Sequence, residues 1–427
     1  MGSSVRAIEG GALIDGSGKD PVEDSVVLVR GSHIVEVGTS RRVSIPTGAE
    51  VIDATGKTVM PGLMDMHVHL GGLFIEPPPD EQSVVLASLK ATPALKILYG
   101  AKHAKDTLEA GFTTLRNLDN VEFVALKKGI ERDLVPGPRL FVSGWVSMTG
   151  GHIDLCMAPP TWPRKGDETA DGVWEIRKLV RRHLCREEAD LIKTSATGGQ
   201  GGENERQWWR NYTLEELEAI SDEAHSVGRK VSAHCSGAIG IKNAVEAGID
   251  SIEHCVRIDE METRDLETTL EMMKKKNIFV VPTLSVTHAN TQASLQKGQP
   301  EYLVRKSKED LPHHVESFKK VCQADVKIAM GTDIVGHMPW FRHGHNAIEL
   351  ELMVKYGMSP MESILAATRN ASECLGVQDT TGTIEKGKLA DIIVVNGDPL
   401  RKISLLKERK NIHLVMKEGR IFVRRTE

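Results

Sequence analysis

The sequence predicts an α/β fold: a (β/α)8 TIM barrel with a small β-sandwich domain formed by both termini. Three features of the 427-residue chain predict it: short β-like runs at both ends, a middle in which apolar runs alternate with helical patterns, and eight such runs in that middle. Eight strands that alternate with helices favour a closed parallel barrel over an open doubly wound sheet. We place the sandwich in residues 1–58 and 384–427 and the barrel in residues 59–383.

The two terminal segments predict antiparallel strands. Near the N-terminus, Ser25–Arg30 and His33–Gly38 flank a Gly-Ser pair, which is typical of a hairpin. The C-terminal segment contains three more β-like runs, of which the last two are joined by a Glu-Gly turn: Ala390–Asn396, Ile412–Lys417 and Arg420–Arg424. We therefore expect both termini to contribute strands to one β-rich domain.

The barrel strands are predicted from eight short apolar runs: Val59–Asp65, Phe112–Leu118, Arg139–Trp145, Asp190–Thr194, Lys230–Ala233, Asp250–Glu253, Ile278–Pro282 and Lys327–Gly331. Helical patterns separate these runs. In one of them Thr213 is placed to cap Leu214–Val227, with Glu216 at the capping-box position and Gly228 after the end. The alternation of strand and helix therefore extends through the middle of the chain.

Long connections follow four of the predicted strands: Gly71–Gln82, Ser147–Asp171, Ser195–Tyr212 and Leu284–Pro312. Connections of this length commonly form substrate pockets or lids. Predicted ligand-side loops also hold six of the chain's aromatic residues: Trp162, Trp208, Trp209, Tyr212, Trp340 and Phe341. This concentration favours an apolar or aromatic ligand, although large loops also need small cores of their own.

Polar residues able to bind metal lie at the ends of five of these runs: His67, His69, Lys193, His234, His254 and Asp333. The carboxyl ends of parallel barrel strands meet at one face, where barrel enzymes keep their chemistry. His67 and His69 are separated by one residue, so in a strand both rings project from the same face and can reach one ion. The six residues together predict a hydrolytic site with two metal ions.

Each of these residues also has a structural alternative. The histidines could be surface or core residues, Asp333 could be a turn residue, and Lys193 could extend to solvent. A free ammonium cannot bind a metal, but condensation of Lys193 with CO2 gives a carbamate whose two oxygens can bridge two cations. Imidazole suits Zn²⁺ and similar ions, and a carboxylate beside a metal can also carry a proton. Cys235 and Cys255 directly follow histidines, so alternation predicts that they point away from the metals and pack.

Composition excludes several other classes of protein. A net charge of −5, with 40% hydrophobic and 26% charged residues, gives no signature of binding to nucleic acid or to a membrane surface. The six cysteines are scattered and predict no disulfide framework. The N-terminus lacks the apolar core of a targeting signal, so a cytoplasmic location is expected unless a signal peptide was removed.

The chain resembles the metal-dependent amidohydrolase superfamily, and more closely its dipeptidase and carboxypeptidase-like branch, to which the ochratoxin amidohydrolases belong. The segments that carry the superfamily resemblance are Pro61–His69, Lys193–Gly199, Ala233-His234, Glu253-His254 and Gly331–Asp333. Those that the branch adds are Thr149–His152, His343-Gly344 with Asn346, Ala366–Thr368 and Gly382–Asp391.

The resemblance implies two zinc-like ions and a homo-oligomer. It implies that one ion is held by His67, His69 and Asp333, that the other is held by His234 and His254, and that carboxylated Lys193 bridges them. The expected reaction is attack on an amide carbonyl by a hydroxide that the two ions share, with Asp333 carrying the proton to the leaving nitrogen.

Three further residues are weaker candidates for substrate binding or catalysis. His152 or His288 could supply a second donor to the developing oxyanion. Arg257 could hold a substrate carboxylate with two hydrogen bonds, but an arginine at this position is as often a salt-bridge partner within its loop.

The branch resemblance favours a substrate whose leaving amine is an amino acid, such as a dipeptide, an N-acyl amino acid or an ochratoxin-like aryl amide. Two alternatives remain open on the same scaffold: a lactonase or cyclic-amide hydrolase, and a non-catalytic protein. A strand-end lysine among histidines argues against the non-catalytic protein and against the one-metal pattern of deaminases. No spacing in the sequence separates amide substrates from lactones or cyclic amides.

Overall fold

The computed structural model describes residues 5–72, 90–155, 168–293, 300–338 and 341–425. In chain order its strands are β1 (Val5–Leu13), β2 (Val22–Arg30), β3 (His33–Thr39), β4 (Glu50–Asp53), β5 (Lys57–Pro61), β6 (Leu63–Val68), β7 (Phe112–Asn117), β8 (Arg139–Val146), β9 (Leu191–Ser195), β10 (Lys230–Cys235), β11 (Ser251–His254), β12 (Phe279–Val281), β13 (His337–Met338), β14 (Phe341–Arg342), β15 (Ile392–Asn396), β16 (Ile412–Lys417) and β17 (Arg420–Arg424).

The α-helices are α1 (Pro93–Glu109), α2 (Val124–Glu131), α3 (His152–Leu155), α4 (Val173–Arg181), α5 (Leu214–His225), α6 (Ala238–Glu246), α7 (Thr263–Lys276), α8 (Leu284–Ala293), α9 (Glu301–Gln323), α10 (Ile348–Lys355), α11 (Pro360–Ala366) and α12 (Arg369–Leu375). Short 3-10 segments cover Val121–Phe123, Ile258–Glu260, Ile403–Lys407 and Arg409–Asn411, and one π turn covers Arg182–Arg186. Among the described helices, none is long and apolar enough to cross a bilayer.

Seven parallel strands form the barrel wall, in the order β12-β11-β10-β9-β8-β7-β6. The eighth predicted run closes the wall without forming a regular strand, through parallel bridges from Ile328 to Val280 and from Ile334 to Val68. Between them, the amide of Met66 donates to the carbonyl of Met330 at 2.9 Å. The predicted TIM barrel is therefore confirmed, with an irregular eighth member.

The two termini build a separate mixed sheet, in the order β17-β16-β15-β5-β1-β2-β3, with β4 paired to β1. The predicted hairpins are present, since β2 pairs antiparallel with β3 and β16 with β17. The N-terminal and C-terminal parts join where β5 pairs antiparallel with β15. The run Val59–Asp65, predicted as one barrel strand, is divided: β5 belongs to this sheet, and the barrel wall begins after Gly62.

Two local predictions had different outcomes. Helix α5 has the capping box formed by Thr213 and Glu216, as the sequence predicted. Such a cap contributes about 1 kcal/mol because it pairs amides that the first helical turn leaves free. The prediction of a long loop over Leu284–Pro312 was wrong, because helix α8 covers the first ten residues of this range, helix α9 begins at Glu301, and Pro312 lies inside α9.

Candidate active site

The six predicted ligands lie together at the carboxyl ends of the barrel strands. The Nε2 atoms of His67 and His69 lie 3.4 and 3.3 Å from Oδ1 of Asp333. One ligand atom of each of these three residues lies within 4.8 Å of the others, which is close enough for one metal ion. The side chain of His67 is almost fully buried, so the cluster is enclosed by the barrel.

A second group adjoins the first. The imidazole rings of His234 and His254 have centroids 4.4 Å apart, and the ring of His254 lies 4.9 Å from that of His67. We call these five side chains, His67, His69, His234, His254 and Asp333, the ligand cluster.

Lys193 has a buried amine beside this cluster, and its Nζ has no hydrogen-bond partner among the described residues. Burial lowers the pKa of Lys193 to about 8. Its charge also lowers the pKa of His67, His234 and His254, although burial of those rings is the larger cause. An unpaired buried amine is costly, which fits a side chain that is completed by a further group.

In each of the four histidines, one ring nitrogen already has a hydrogen-bond partner within the protein. Nδ1 of His67 lies 2.8 Å from Oε2 of Glu253, and Nδ1 of His254 lies 2.6 Å from Oγ1 of Thr283. Nδ1 of His69 lies 3.1 Å from Asp119, while His234 uses Nε2 toward the carbonyl of Gly198 at 3.2 Å. Each ring therefore keeps one nitrogen for a metal ion: Nε2 of His67, His69 and His254, and Nδ1 of His234.

The protonation of the cluster also suits metal binding. Burial holds the pKa of His67, His234 and His254 well below its usual value, so these rings are neutral ligands. His69 differs: burial opposes its charge, but hydrogen bonds to Asp119 and Asp333 raise its pKa to about 9. A metal ion bound at His69 would therefore displace a proton.

The backbone at three strand ends is left-handed, which side chains other than glycine rarely adopt. The φ angles are 70° at His254, 50° at Cys255, 52° at Thr283 and 55° at Asp333. Residues held in this way cluster at functional sites, because the surrounding structure must impose the conformation. Cys255 is buried in the core packed around the barrel, as is Cys235, which confirms the prediction that both are packing residues.

His152 joins the cluster from the connection after β8. Its ring stacks on that of His234 with centroids 4.0 Å apart. Its Nδ1 lies 2.7 Å from Oε1 of Glu205, and the carboxylate of Glu205 also accepts hydrogen bonds from the amides of Gly199 and Gly202 at 2.8 and 3.0 Å. The pairing leaves Nε2 of His152 as the nitrogen available to a ligand.

The other two candidates have different partners. Nε2 of His288 lies 2.7 Å from the hydroxyl of Tyr356, and the two rings stack. Nε and Nη2 of Arg257 each lie 2.9 Å from Oδ1 of Asp310, and its Nη1 bonds to Glu260. These contacts support the alternative in which Arg257 is a salt-bridge partner within the protein.

The aromatic residues that were predicted to lie in ligand-side loops do not share one environment. Tyr212 and Phe341 are buried, whereas Trp208 and Trp209 are exposed. Trp162 and Trp340, like most of the predicted loop Gly71–Gln82, lie outside the described residues.

The residues that orient the ligand cluster and His152 were not predicted from the sequence: Asp119, Glu205, Glu253 and Thr283. Two of them carried a signal. Asp119 follows the end of β7 and Glu253 directly precedes His254, so both are polar residues at barrel strand ends. Glu205 lies in an irregular connection, where nothing in the spacing singles it out.

Comparison with known proteins agrees with this geometry. The model of the Amidohydrolase family matches residues 58–422. This chain belongs to the amidohydrolase family. It is therefore a hydrolase that acts on amide bonds, and the non-catalytic alternative is set aside.

This amidohydrolase is similar to relatives of different activity. An ochratoxinase of Aspergillus niger is 31% identical over 98% of this chain and 87% of its own. A solved Xaa-Pro dipeptidase with methionine bound in its active site is 31% identical, with a TM-score of 0.87, and covers 98% of this chain and 100% of its own. An imidazolonepropionase of Geobacillus sp. (strain WCH70) is 24% identical over 94% of this chain and 91% of its own.

Proposed function

We propose that this amidohydrolase holds two divalent ions, of which Zn²⁺ is the best match, and cleaves an amide whose leaving amine is an amino acid. The observation that carries the proposal is Lys193: its buried Nζ is unpaired beside the histidines. A carbamate on this nitrogen would satisfy it and would provide one oxygen for each ion. Neutral imidazoles and carboxylates complete a donor set typical of zinc.

The ligand cluster divides into two groups in this proposal. His67, His69 and Asp333 hold one ion, and His234 and His254 hold the other. Carboxylated Lys193 belongs to both groups. Besides the larger effect of burial, the charge of its amine lowers the pKa of both His67 and His254, which supports a position next to both groups.

When bound, two such ions supply a water made acidic enough to act near neutral pH, together with Lewis acidity toward the substrate carbonyl. The chain's own residues do the rest. Asp333, whose Oδ1 faces both His67 and His69 and would bind the first ion, accepts a proton at its other carboxylate oxygen and delivers it to the leaving nitrogen. In its doubly protonated form, with Nδ1 donating to Glu205, His152 also donates from Nε2 to the oxygen on which charge develops.

The comparisons support an amino-acid leaving group more than ring opening. The dipeptidase was solved with an amino acid in its active site. Identity to that dipeptidase and to the ochratoxinase is 31%, against 24% for the imidazolonepropionase at similar coverage. Hydrolysis of a cyclic amide is the second candidate, because the imidazolonepropionase still aligns with most of the chain.

One experiment tests the metal and substrate parts together. We expect about two divalent ions per chain by elemental analysis. A panel of dipeptides, N-acyl amino acids, lactones and hydantoins, followed by product analysis, should show release of free amino acids. One ion per chain would contradict the binuclear site, and ring opening without release of amino acids would favour the second candidate.

Replacement of Gly199 by alanine should impair catalysis with little effect on folding. An added Cβ would lie 2.4 Å from Cε1 of His152 and 2.8 Å from Nε2 of His234, so both rings would have to move. A displacement of about 1 Å can cost on the order of 10²-fold in rate. We expect a fall of that size in kcat/KM, measured on the substrate that the panel identifies.

Gly129→Ala is the matched control for this substitution. Gly129 lies inside helix α2, and its added Cβ would meet only a Val135 methyl at 3.8 Å. This change should leave activity intact and raise stability by roughly 0.5–1 kcal/mol. Full activity of Gly199→Ala would show that the position of His152 does not matter.

A further inference from the structure

Beneath the ligand cluster, the interior of the barrel contains an ion pair. Nη2 of Arg116, on β7, lies 2.6 Å from Oε1 of Glu253, on β11, and both side chains are at most 2% exposed. The two strands are four positions apart in the sheet, so the pair crosses the barrel. Barrel interiors are usually filled by branched apolar side chains, and a buried ion pair contributes little net stability because desolvation offsets its attraction. This cost suggests a role other than stability.

The two oxygens of Glu253 have different partners. Oε1 accepts three hydrogen bonds, from Arg116 at 2.6 Å, Ser232 at 2.8 Å and Ser251 at 2.7 Å. Oε2 faces Nδ1 of His67 at 2.8 Å. Arg116 is itself fixed, because its Nε donates to the carbonyl of Met66 and its Nη1 to Ser251. The carboxylate is therefore held in one orientation and presents an acceptor to His67.

We infer that Arg116 and Glu253 are positioning residues that fix the tautomer of His67. The guanidinium of Arg116 donates to Oε1 of Glu253, and the carboxylate paired with it can only accept a hydrogen bond at Oε2. Nδ1 of His67 must then carry the proton, so Nε2 keeps its lone pair toward Asp333. The inference rests on the proposed function, in which Nε2 of His67 holds a metal ion.

Glutamine at position 253 distinguishes this role from simple packing. Arg116 has donors only, so the amide must turn its carbonyl oxygen toward Arg116 and its NH2 toward His67. An NH2 group donates to Nδ1 and moves the ring proton to Nε2, which then has no lone pair for a metal. In the double variant Arg116→Met/Glu253→Gln, no guanidinium forces the amide into this orientation. The serine hydroxyls can accept from the NH2 group, and the carbonyl can face His67 again.

The test measures Zn²⁺ affinity by chelator competition, and it measures the rise in Tm that Zn²⁺ produces over the metal-free protein. Glu253→Gln should weaken binding by roughly 10–100-fold, the usual range for an outer partner of a metal-binding histidine, and should shrink the Tm rise. Arg116→Met/Glu253→Gln should recover part of the affinity. A structural role alone would lower the metal-free Tm and leave the metal-dependent rise unchanged.

Glu349→Gln provides the matched control. Glu349 is also fully buried, its pKa is raised to about 8 by burial, and its partners are the amides of Leu284 and Ser285. Its protonated form resembles glutamine, so Zn²⁺ affinity should equal that of the wild type. Wild-type affinity in Glu253→Gln, or a double variant no better than the single one, would overturn the inference.

A measurement on the unmodified protein covers the case in which Glu253→Gln does not fold. In metal-free wild-type protein with ¹⁵N-labelled histidine, the His67 signal, identified by its loss in His67→Asn, should be that of the Nδ1–H tautomer. The Nε2–H tautomer would overturn the inference. Absence of Zn²⁺ binding by the wild type would overturn the proposed function and this inference with it, whereas retained binding in Glu253→Gln overturns the inference alone.

Discussion

Lys193→Ala should lose both ions and nearly all activity. In the proposed site Lys193 is the one residue shared by the two metal groups, so its removal affects both at once. Loss of an outer partner of a metal ligand typically costs roughly 10–100-fold, and loss of the bridging ligand should cost more than that. Elemental analysis and kcat/KM measure the two effects separately.

Lys230→Ala is a suitable control for this change. Lys230 begins β10 at the opposite end of the barrel wall, where its exposed side chain pairs with Asp250 at 2.7 Å. Its removal deletes the same charge and should leave metal content and kcat near the wild-type values. Recovery of metal-stripped wild-type enzyme that requires bicarbonate as well as Zn²⁺ would support the carbamate. A fully active Lys193→Ala protein would refute the scheme.

Asp333→Asn should retain metal and lose catalysis. Asparagine keeps a neutral oxygen that can bind a metal ion, but it cannot accept the proton. We expect kcat to fall by roughly 10²–10⁴-fold, the range for loss of general acid–base help, with a much smaller change in KM because the lost interaction belongs to the transition state. The backbone at Asp333 has φ 55°, a conformation that asparagine tolerates as well as aspartate does.

Asp325→Asn makes the same substitution in the same backbone region, since Asp325 has φ 56° and is exposed. It should change neither metal content nor kcat. Near wild-type kcat in Asp333→Asn with full metal would show that another group carries the proton, and His152 would be the next residue to replace.

The barrel and the ligand cluster could be predicted because both follow from patterns that are local in the sequence. Apolar runs mark the strands, and parallel strands bring their carboxyl ends to one face, so the polar residues that end those runs had to meet. The irregular eighth segment was predicted in the same way, because Lys327–Gly331 has the apolar pattern even though it forms only isolated bridges.

Helix α9 was missed for a physical reason. Its buried face is apolar only near the two ends, and the middle contains Lys306, Ser307, Asp310, His314 and Ser317, so the apolar period that usually marks a helix is interrupted. These polar residues bind other parts of the chain: Lys306 donates to the carbonyl of Glu205, and Asp310 accepts from Gln207 and Arg257. Partners about 50 to 100 residues apart leave no local signal. Glu205 and His152 are also far apart in the sequence, so their pairing left no local signal either.

The left-handed backbone at His254, Thr283 and Asp333 has a consequence for how this protein can evolve. Each such residue costs roughly 1–3 kcal/mol in the folded state, and Thr283, being β-branched, is the most strained. Selection for heat resistance alone would relax these positions, most easily by glycine, and would remove His254, its partner Thr283 or the proposed proton carrier Asp333. A heat-resistant descendant that still works must therefore acquire its added stability elsewhere in the chain.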